Sequence, residues 1–464
     1  MSVAAFFDLD RTLVRGASGP AISEALRETG VVARGPVPGE SLLYRVFDLL
    51  GETRPAMLLT RQAARLARGW RRADVQKAGR LAAERLVPAV QPFARGLLDE
   101  HHAAGRLVVM TTTTPVDMVR PLADALGFDH VVATTYGLDG EGRYDGTIDG
   151  EFVWGAGKLR AVRAWADEHG VDLAGSWAYS DSYYDQPLLR AVGHPVAVNP
   201  DLRLQAVATL RRWPVLHLDV PAGVAKLPVV GLELQKLLML TIRPELQPYA
   251  RFTIEGVEHL PADGPAIVVS NHRSYFDVLT LGFAFARRGR PVRFLGKREL
   301  FDAPVVGSLV RAMGGIPVDR GTGSDDPLAS AAAAVAAGEL VAILPQGTIP
   351  RGPAFFDPEL KGRWGAARLA ASSGVPVVPV GVWGTEKVWP RSERLPRLWN
   401  VLERPHVTVR VGPPVELGLT SPEADTERIM AAIVDLLPPE AREHRRPTEE
   451  ELAMSYPPGW SGDP

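Results

Sequence analysis

Short runs of apolar residues recur along the chain, and several of them end abruptly in polar residues. Two such runs, at residues 3–7 and 107–110, lie in the first half, and two more, at 266–269 and 340–344, lie in the second. Apolar runs of this length predict buried strands, and the alanine-, leucine- and arginine-rich stretches between them predict helices. Alternating strands and helices indicate open α/β sheets, in which ligands bind beyond the carboxyl ends of the strands. The polar residues that follow each run are therefore candidates for chemistry.

The first apolar run delivers two carboxylates. Residues 3–7 lead directly into Asp8-Leu9-Asp10, and because side chains alternate along an extended chain, Asp8 and Asp10 can point into one site. Two carboxylates in one site repel each other unless a cation joins them, and a hard cation such as Mg²⁺ prefers oxygen ligands. The pattern predicts a nucleophilic carboxylate and a proton-transferring partner.

Three later stretches add groups suited to phosphoryl transfer. Thr111 follows the run at 107–110, and Lys158 follows a glycine-rich turn, where its charge can offset a developing negative charge. Another predicted strand runs into Asp181 and Asp185. Each residue alone also fits a turn, a helix cap or a solvated charge. Their order along the chain favours one shared site.

This constellation resembles the haloacid dehalogenase superfamily, specifically its phosphoserine-phosphatase-like branch, over roughly residues 1–215. The resemblance implies a Rossmann-like fold and a Mg²⁺-dependent phosphohydrolase. It also implies the following roles: Asp8 as phosphorylated nucleophile, Asp10 as general acid and base, Thr111 and Lys158 on the phosphoryl group, and Asp8, Asp10, Asp181 and Asp185 on or near the metal.

An insertion separates the first two motifs of this domain. It spans about residues 14–92, and its helix-forming stretches indicate a helical cap over the site. These stretches are residues 21–28, 41–50, 56–70 and 73–86. The chain departs from the branch at Ser180, where a glycine is usual, and at Thr112 and Thr113, where phosphoserine phosphatases carry a glycine pair. The threonines argue against a free amino-acid substrate.

A linker is predicted at residues 216–250. From residue 223 to 242 its apolar positions recur at helical spacing, and Lys226, Glu233 and Lys236 share another side. Three charges interrupt the stretch, so it is too polar to span a bilayer. We expect an amphipathic helix lying in the lipid headgroup layer, the alternative being a helix packed on the core of the second domain.

The second half carries a candidate base. The strand at 266–269 leads into Ser270-Asn271-His272, and four residues separate His272 from Asp277. Across the first turn of a following helix, the carboxylate can hold one imidazole nitrogen protonated and leave the other as a base. A bound substrate hydroxyl can then attack directly, without a serine or cysteine nucleophile.

Asn-His-x-x-x-x-Asp at this place resembles the glycerolipid acyltransferases, the 1-acylglycerol-3-phosphate acyltransferase family, and three further blocks follow in the order of that family. They are residues 315–320, residues 344–348 and residues 375–380. The resemblance implies an α/β acyltransferase domain at 251–437 that moves an acyl group from acyl-CoA or acyl carrier protein to lysophosphatidate. It implies His272 as base, Asp277 as its orienting partner, Arg320 as phosphate clamp and Asn271, Lys297, Gln346, Gly347 and Thr348 as further substrate-binding residues.

The chain departs from this family in its third block. Gln346 replaces a glutamate, so the position keeps a hydrogen-bonding group and loses a charge. We interpret it as a positioning residue, because His272 already supplies the base. Ile349 stands where arginine is frequent, with Arg351 as a possible substitute. Residues 438–464, rich in Pro, Glu and Arg, are expected to be disordered.

Composition and net charge exclude some kinds of site and partner. The 464 residues include no cysteine and carry a net charge of −2, which excludes disulfides, thiolate metal sites and a cysteine acyl-enzyme and argues against nucleic acid as a partner. We expect a cytoplasmic enzyme, peripheral or monotopic at the inner face of the cell membrane.

Three alternatives to this function remain open. The acceptor is glycerol-3-phosphate or another glycerolipid, or the first domain only binds phosphorylated metabolites and regulates the transferase, or Gln346 reduces the acyltransferase half to a lipid-binding scaffold.

Overall fold

The computed structural model describes residues 2–32, 54–221, 223–227, 232–241, 243–304, 306–318 and 328–460. It divides into two compact units, Met1–Ala222 and Gly223–Pro464. Each unit has its own seven-stranded, mainly parallel sheet flanked by helices, which confirms the α/β class predicted for both halves.

The sheet of the first unit has the strand order β4-β3-β2-β1-β5-β6-β7. Its strands are β1 Ala4–Phe7, β2 Leu107–Pro115, β3 His130–Leu138, β4 Tyr144–Asp149, β5 Trp177–Ser180, β6 His194–Val198 and β7 Val215–Leu216. Its helices are α1 Gly19–Glu28, α2 Arg54–Leu66, α3 Arg72–Leu86, α4 Ala94–Ala103, α5 Val116–Leu126, α6 Ala156–His169, α7 Gln186–Ala191 and α8 Leu202–Arg211. Strand β1 is central and fully buried, and it pairs in parallel with β2 and β5.

The insertion between β1 and β2 is helical, as its composition predicts. Helices α1, α2 and α3 cover three of the four predicted stretches, and the fourth, residues 41–50, lies outside the described residues. The apolar faces of these helices bury Ile22, Ala64 and Ala78 in a core that they share with residues of α5, β3 and β4.

The sheet of the second unit has the order β11-β10-β12-β9-β13-β14-β8. Its strands are β8 Arg251–Glu255, β9 Ala266–Ser270, β10 Val292–Lys297, β11 Ile316–Val318, β12 Leu340–Ile343, β13 Val377–Trp383 and β14 His406–Val411. Its helices are α9 Leu234–Thr241, α10 Asp277–Arg288, α11 Arg298–Asp302, α12 Val306–Ala312, α13 Ala329–Ala336, α14 Gly365–Ser373, α15 Thr385–Val388, α16 Pro422–Asp435 and α17 Glu449–Met454. Because β9, β10, β11, β12 and β13 run parallel, their carboxyl ends share one edge.

The linker differs from the amphipathic helix predicted for residues 223–242. Among the described residues of this stretch, 223–227 and 232–241, only α9 is helical, and Lys226 and Glu233 form a β-bridge before it. Glu233 is buried, and its Oε2 accepts a hydrogen bond of 2.8 Å from Arg293 of β10, which is itself fully buried. Burial acts to raise the pKa of Glu233, but Arg293 and Lys236 outweigh it and hold that pKa below its usual value. The predicted charged face is therefore partly an internal ion pair.

The tail from residue 438 was expected to be disordered, and this expectation is wrong for residues up to 460. Helix α17 begins at a capping box formed by Thr448 and Glu451. Ser455 Oγ accepts a hydrogen bond of 2.8 Å from the backbone N–H of Gly352. Composition alone missed this docking because the contacts join segments about a hundred residues apart.

No helix in the described part of the chain is both long and apolar enough to cross a membrane.

Candidate active sites

The first candidate site lies at the carboxyl ends of β1 and β5. The two strands pair Phe7 with Tyr179, and the backbone N–H of Asp8 donates to the carbonyl of Tyr179 at 2.9 Å. Asp8 and Asp181 leave the sheet from neighbouring strands, and both are buried. The parallel register thus brings two residues together that lie 173 positions apart in sequence.

Lys158 joins two of the predicted carboxylates. Its Nζ donates to Asp8 Oδ1 at 2.7 Å and to Asp185 Oδ2 at 2.6 Å, and the lysine is only 1% exposed. Ser180 Oγ also donates to Asp185 Oδ2 at 2.7 Å. A buried lysine between two buried carboxylates offsets one of their two negative charges, and its hydrogen bond fixes the direction of Asp8.

The remaining acids are held by the loop after β1. Asp10 Oδ1 accepts from the backbone N–H of Ser18 at 2.5 Å. Thr12 Oγ1 donates to Asp181 Oδ1 at 3.3 Å and accepts from the backbone N–H of Asp181 at 3.0 Å. Thr12 was not singled out from the sequence, and these two hydrogen bonds make it the link between the first and last motifs.

The hydroxyl of Thr111 points back into the sheet. It is buried and donates to the carbonyl of Phe7, the residue before Asp8, at 3.3 Å. Thr113, one of the residues that replace the glycine pair, donates to the carbonyl of Val153 at 2.8 Å. That contact ties the carboxyl end of β2 to the segment that precedes Lys158.

The fit of this site to Mg²⁺ depends on its oxygen atoms. Within the described ranges, no three His, Cys, Asp or Glu side chains form a ready-made cation site. Asp185 Oδ1 is nevertheless buried without a hydrogen-bond partner, and an orphaned buried carboxylate oxygen carries a cost that a cation or its water would remove. Together with the buried carboxylates of Asp8 and Asp181, it supplies the hard oxygen donors that Mg²⁺ prefers.

The second candidate site lies at the carboxyl end of β9. His272 Nδ1 and Asp277 Oδ2 are 2.8 Å apart, and Asp277 is completely buried. The same oxygen accepts from the backbone N–H groups of Arg273 at 2.7 Å and Ser274 at 2.9 Å, and Thr385 Oγ1 donates to Asp277 Oδ1 at 2.5 Å. The contact between His272 and Asp277 orients the Nδ1–H toward the carboxylate and leaves Nε2 as an acceptor.

Two amides fix the histidine loop in place. Gln346 Oε1 accepts from the backbone N–H of His272 at 2.7 Å. The side chain of Asn271 donates to the carbonyl of Val382 and accepts from its N–H, both at 2.8 Å, so it extends the pairing between β9 and β13. Gln346 therefore contacts the backbone of His272 through an acceptor oxygen, and a glutamate at this position would have the same acceptor.

A cleft opens beside His272. Arg273 lies against it, stacked over the rings of Trp383 at 3.9 Å and Phe355 at 4.2 Å, with Glu386 Oε2 at 3.2 Å from its Nε. The chain also places Phe356, Asp357, Leu360, Leu437 and Arg445 along the wall. The sequence did not single out Thr385, Glu386 or Arg273. For Thr385 and Glu386 the only signal available was their position a few residues after the block at 375–380, and for Arg273 it was its place next to His272.

The other predicted substrate-binding residues are spread along the same sheet edge. Gly347 and Thr348 follow Gln346 after β12, and Lys297 ends β10 with an exposed side chain. Arg320, the predicted phosphate clamp, lies outside the described residues.

Ile349 and Arg351 flank Pro350, which lines the cleft beside His272. The carbonyl of buried Ile349 accepts a hydrogen bond from Arg391 Nη1. Arg351 packs its guanidinium 4.8 Å from the ring centre of Trp460 in the tail. Arg351 is thus engaged with the tail.

Comparison with known proteins assigns each unit to a family. Residues 5–190 match the haloacid dehalogenase-like hydrolase model and residues 251–383 match the acyltransferase model. Over 223 residues the chain is 36% identical to the Inhibition of morphological differentiation protein of Streptomyces azureus, covering 47% of this chain and 79% of that protein.

Two further relatives are informative. The chain is 32% identical over 232 residues to Phosphoserine phosphatase SerB1 of Mycobacterium tuberculosis, covering 49% of this chain and 75% of that protein. It is 34% identical over 148 residues to the chloroplastic 1-acyl-sn-glycerol-3-phosphate acyltransferase BAT2 of Brassica napus, covering 31% of this chain and 41% of that protein. The chain therefore belongs to the haloacid dehalogenase-like hydrolases through its first unit and carries an acyltransferase domain in its second.

Proposed function

We propose that the protein is a bifunctional enzyme of phospholipid biosynthesis. Its second unit transfers an acyl group from acyl-CoA or acyl carrier protein to the free hydroxyl of lysophosphatidate, giving phosphatidate. Its first unit hydrolyses a phosphate monoester. The observation that carries the proposal is the contact between His272 and the fully buried Asp277 at the edge of an acyltransferase sheet.

In the acyl transfer, His272 Nε2 accepts the proton of the acceptor hydroxyl as its oxygen attacks the thioester carbonyl. The tetrahedral intermediate collapses with cleavage of the C–S bond, and protonated His272 returns the proton to the departing thiolate. Asp277 stays ionised throughout and stabilises the imidazolium. Gln346 keeps the loop of the base in position by holding its backbone N–H.

Recognition of the acceptor phosphate is assigned to Arg320, because a guanidinium binds a phosphomonoester by two parallel hydrogen bonds. Lys297, the last residue of β10, adds a second positive charge. Asn271, Gly347 and Thr348 complete the predicted set of substrate-binding residues. Glycerol-3-phosphate is the alternative acceptor, since it presents the same phosphate and hydroxyl groups.

In the phosphatase reaction, Asp8 attacks phosphorus and forms an aspartyl-phosphate, while Asp10 protonates the leaving alcohol and later accepts a proton from the attacking water. Lys158 offsets the charge on the transferring group, and Thr111 lies beside Asp8. Asp8 and Asp181, with Asp10 and Asp185 nearby, would hold Mg²⁺, which neutralises charge on the phosphoryl oxygens.

The test uses the purified full chain with two point variants side by side. Acyl transfer to radiolabelled lysophosphatidate should be lost in His272→Ala and kept in Asp8→Asn. Phosphate release from a panel of phosphate monoesters should show the reverse. Transfer by wild type to no glycerolipid would overturn the first assignment and support a lipid-binding scaffold, whereas no phosphate release from any ester would support a regulatory first unit.

The place of action follows from the substrates. A lysophospholipid is presented in a bilayer and an acyl thioester is presented in the cytoplasm, so we place the enzyme at the inner face of the cell membrane as a peripheral or monotopic protein. Membrane pelleting of the native protein from cell extracts, with release by carbonate or high salt, distinguishes a peripheral from a monotopic attachment.

A further inference from the structure

A segment in the second unit exposes an unusual run of large apolar side chains. In residues 395–402, here named the apolar loop, Leu395 is 66% exposed, Trp399 72% and Leu402 93%, and Leu398 and Val401 are also exposed. Single exposed leucines are ordinary on protein surfaces, but five large apolar side chains within eight residues are not. Such a patch marks a surface that meets another apolar phase.

The apolar loop is held in its exposed shape by its own hydrogen bonds. The side chain of Asn400 donates to the carbonyl of Glu403 at 2.9 Å and accepts from its N–H at 3.4 Å. At the base of the loop, the backbone N–H of Arg397 donates to the carbonyl of Val388 at 2.8 Å, and its Nε donates to Glu393 at 2.9 Å. The fold thus presents these side chains outward instead of burying them.

The apolar loop is joined directly to the acyltransfer site. It follows α15, whose first residue, Thr385, donates to Asp277. Trp389, at the base of the loop, accepts a hydrogen bond from Ser274 Oγ at 2.7 Å through its carbonyl, and its ring lies 5.6 Å from that of Tyr275. Tyr275 lies three residues after His272 and is 47% exposed. The contact of Trp389 with Tyr275 therefore connects the apolar loop to the loop that carries the base.

The charges around the apolar loop favour an anionic surface. Residues 390–405 contain four arginines and two glutamates, a net charge of +2, and Arg394 and Arg404 are exposed on either side of the apolar side chains. Tryptophan beside leucine, flanked by arginine, is the composition that settles at the boundary between lipid headgroups and acyl chains. An anionic leaflet adds attraction for each nearby arginine.

We propose that the apolar loop inserts into the headgroup layer of an anionic membrane and docks the acyltransfer site on the bilayer that holds its acceptor. This contact is separate from the linker at residues 216–250. The part of the proposal that concerns the acceptor rests on the proposed acyltransferase function, and the part that concerns membrane binding does not.

The experiment measures sedimentation of the full chain with phosphatidylcholine vesicles that contain or lack phosphatidylglycerol. The variant pair is Trp399→Asp with Leu402→Asp, and the matched control is Leu66→Asp, which changes a side chain 76% exposed in the first unit. Wild type and control should bind the anionic vesicles equally. The pair should bind about a hundredfold more weakly, since each apolar side chain contributes about tenfold. Circular dichroism should show all three proteins folded.

A second arm tests the charges. Arg394→Gln with Arg404→Gln should weaken binding to the phosphatidylglycerol vesicles and leave binding to pure phosphatidylcholine unchanged, and added salt should reproduce the effect in wild type.

A third arm separates this proposal from the proposed function. The Trp399 and Leu402 pair should transfer acyl groups to a short-chain, water-soluble lysophosphatidate as wild type does, and should lose transfer to a long-chain acceptor in vesicles. Absence of transfer by wild type to either acceptor would contradict the proposed function and leave the vesicle result standing. Vesicle binding of the pair within twofold of wild type would overturn the insertion proposal. The proposal would also be overturned if wild type formed a dimer, the Trp399 and Leu402 pair did not, and vesicle binding were unchanged. That result would assign the apolar loop to contact with a second copy of the chain.

Discussion

The two candidate sites both bury a carboxylate at the end of a parallel strand, but they compensate its charge differently. In the first unit, Asp8 and Asp185 share one buried cation, Lys158, and Asp185 Oδ1 is left without a partner. In the second unit, no lysine or arginine side chain among the described residues is bonded to Asp277, which is satisfied by two backbone N–H groups, a hydroxyl and an imidazole.

The first site therefore has a carboxylate oxygen available to a cation, whereas the carboxylate of the second site already has its hydrogen-bond partners. A network of carboxylates around one lysine with a spare oxygen suits a reaction whose substrate brings phosphate and whose helper is a cation. A carboxylate saturated with neutral donors needs no ion and serves only to orient a base. Four predictions test the contrast, in order of decreasing effect.

The largest effect is expected for Asp277→Asn. An amide in place of the carboxylate donates a hydrogen where the loop already supplies donors and no longer holds the proton on His272 Nδ1. Acyl transfer should fall by about 10⁴-fold, measured as single-turnover transfer to lysophosphatidate. Phosphate release by the same protein serves as the internal control. A loss below about tenfold would show that Asp277 does not orient the base.

Lys158→Met should destabilise the first unit by about 3–5 kcal/mol, because it leaves two buried carboxylates without their cation. The free energy of unfolding is measured by urea titration. The matched control is Lys77→Met, at an exposed position of α3, which should change stability by less than about 0.5 kcal/mol. The penalty should shrink at acidic pH as the carboxylates take up protons. Equal stability of the two variants would contradict the buried network.

At Gln346 the expected outcome depends on the atom that contacts His272. Gln346→Glu keeps an acceptor oxygen and should retain acyl transfer within a few-fold. Gln346→Leu leaves the backbone N–H of His272 unpaired, at a cost of about 1–3 kcal/mol, and should lower the transfer rate about tenfold or more. A matched loss in both variants would indicate that the amide N–H, and not the oxygen, is required.

The smallest effect concerns buried His101. Burial, with help from Arg106 and His102, lowers its pKa from 6.5 to about 4, and its Nδ1 lies 3.2 Å from Arg106 Nη1, as a neutral ring requires. The unfolded chain binds this proton more readily, so the stabilising contribution of the neutral ring is complete above about pH 6.5 and is lost as the pH falls toward 4.

The measurement for His101 is the slope of unfolding free energy against pH between these limits. His101→Gln should flatten the slope, and His444→Gln, at an exposed position, should leave it unchanged. A slope that persists in His101→Gln would assign the pH dependence to other groups.

The sequence predicted the parts of each site that depend on local spacing. Apolar runs placed Asp8, Asp181 and His272 at strand ends, and the five-residue step from His272 to Asp277 is short enough for one helical turn to close the contact. Family resemblance added Lys158, which lies against Asp8. The α/β class followed from the alternation of strands and helices.

What the sequence did not predict depends on contacts between distant segments. Thr385 meets Asp277 across 108 positions, and Glu233 reaches Arg293 across 60. No local pattern marks a threonine as a partner of a carboxylate or a glutamate as an internal ion-pair member, because each looks like an ordinary surface residue in its own segment. The same reason explains the docked tail.

Docking of the tail has a consequence for the order in which the second unit matures during synthesis. Arg445 packs 5.0 Å from the ring centre of Phe356, and Ser455 bonds Gly352, so residues 445–460 brace the segment that lines the cleft. A ribosome delivers these residues after every strand of both sheets. The hydrolase unit can finish folding while the chain is still being translated, whereas the transferase cleft gains its brace only when residue 460 has left the exit tunnel.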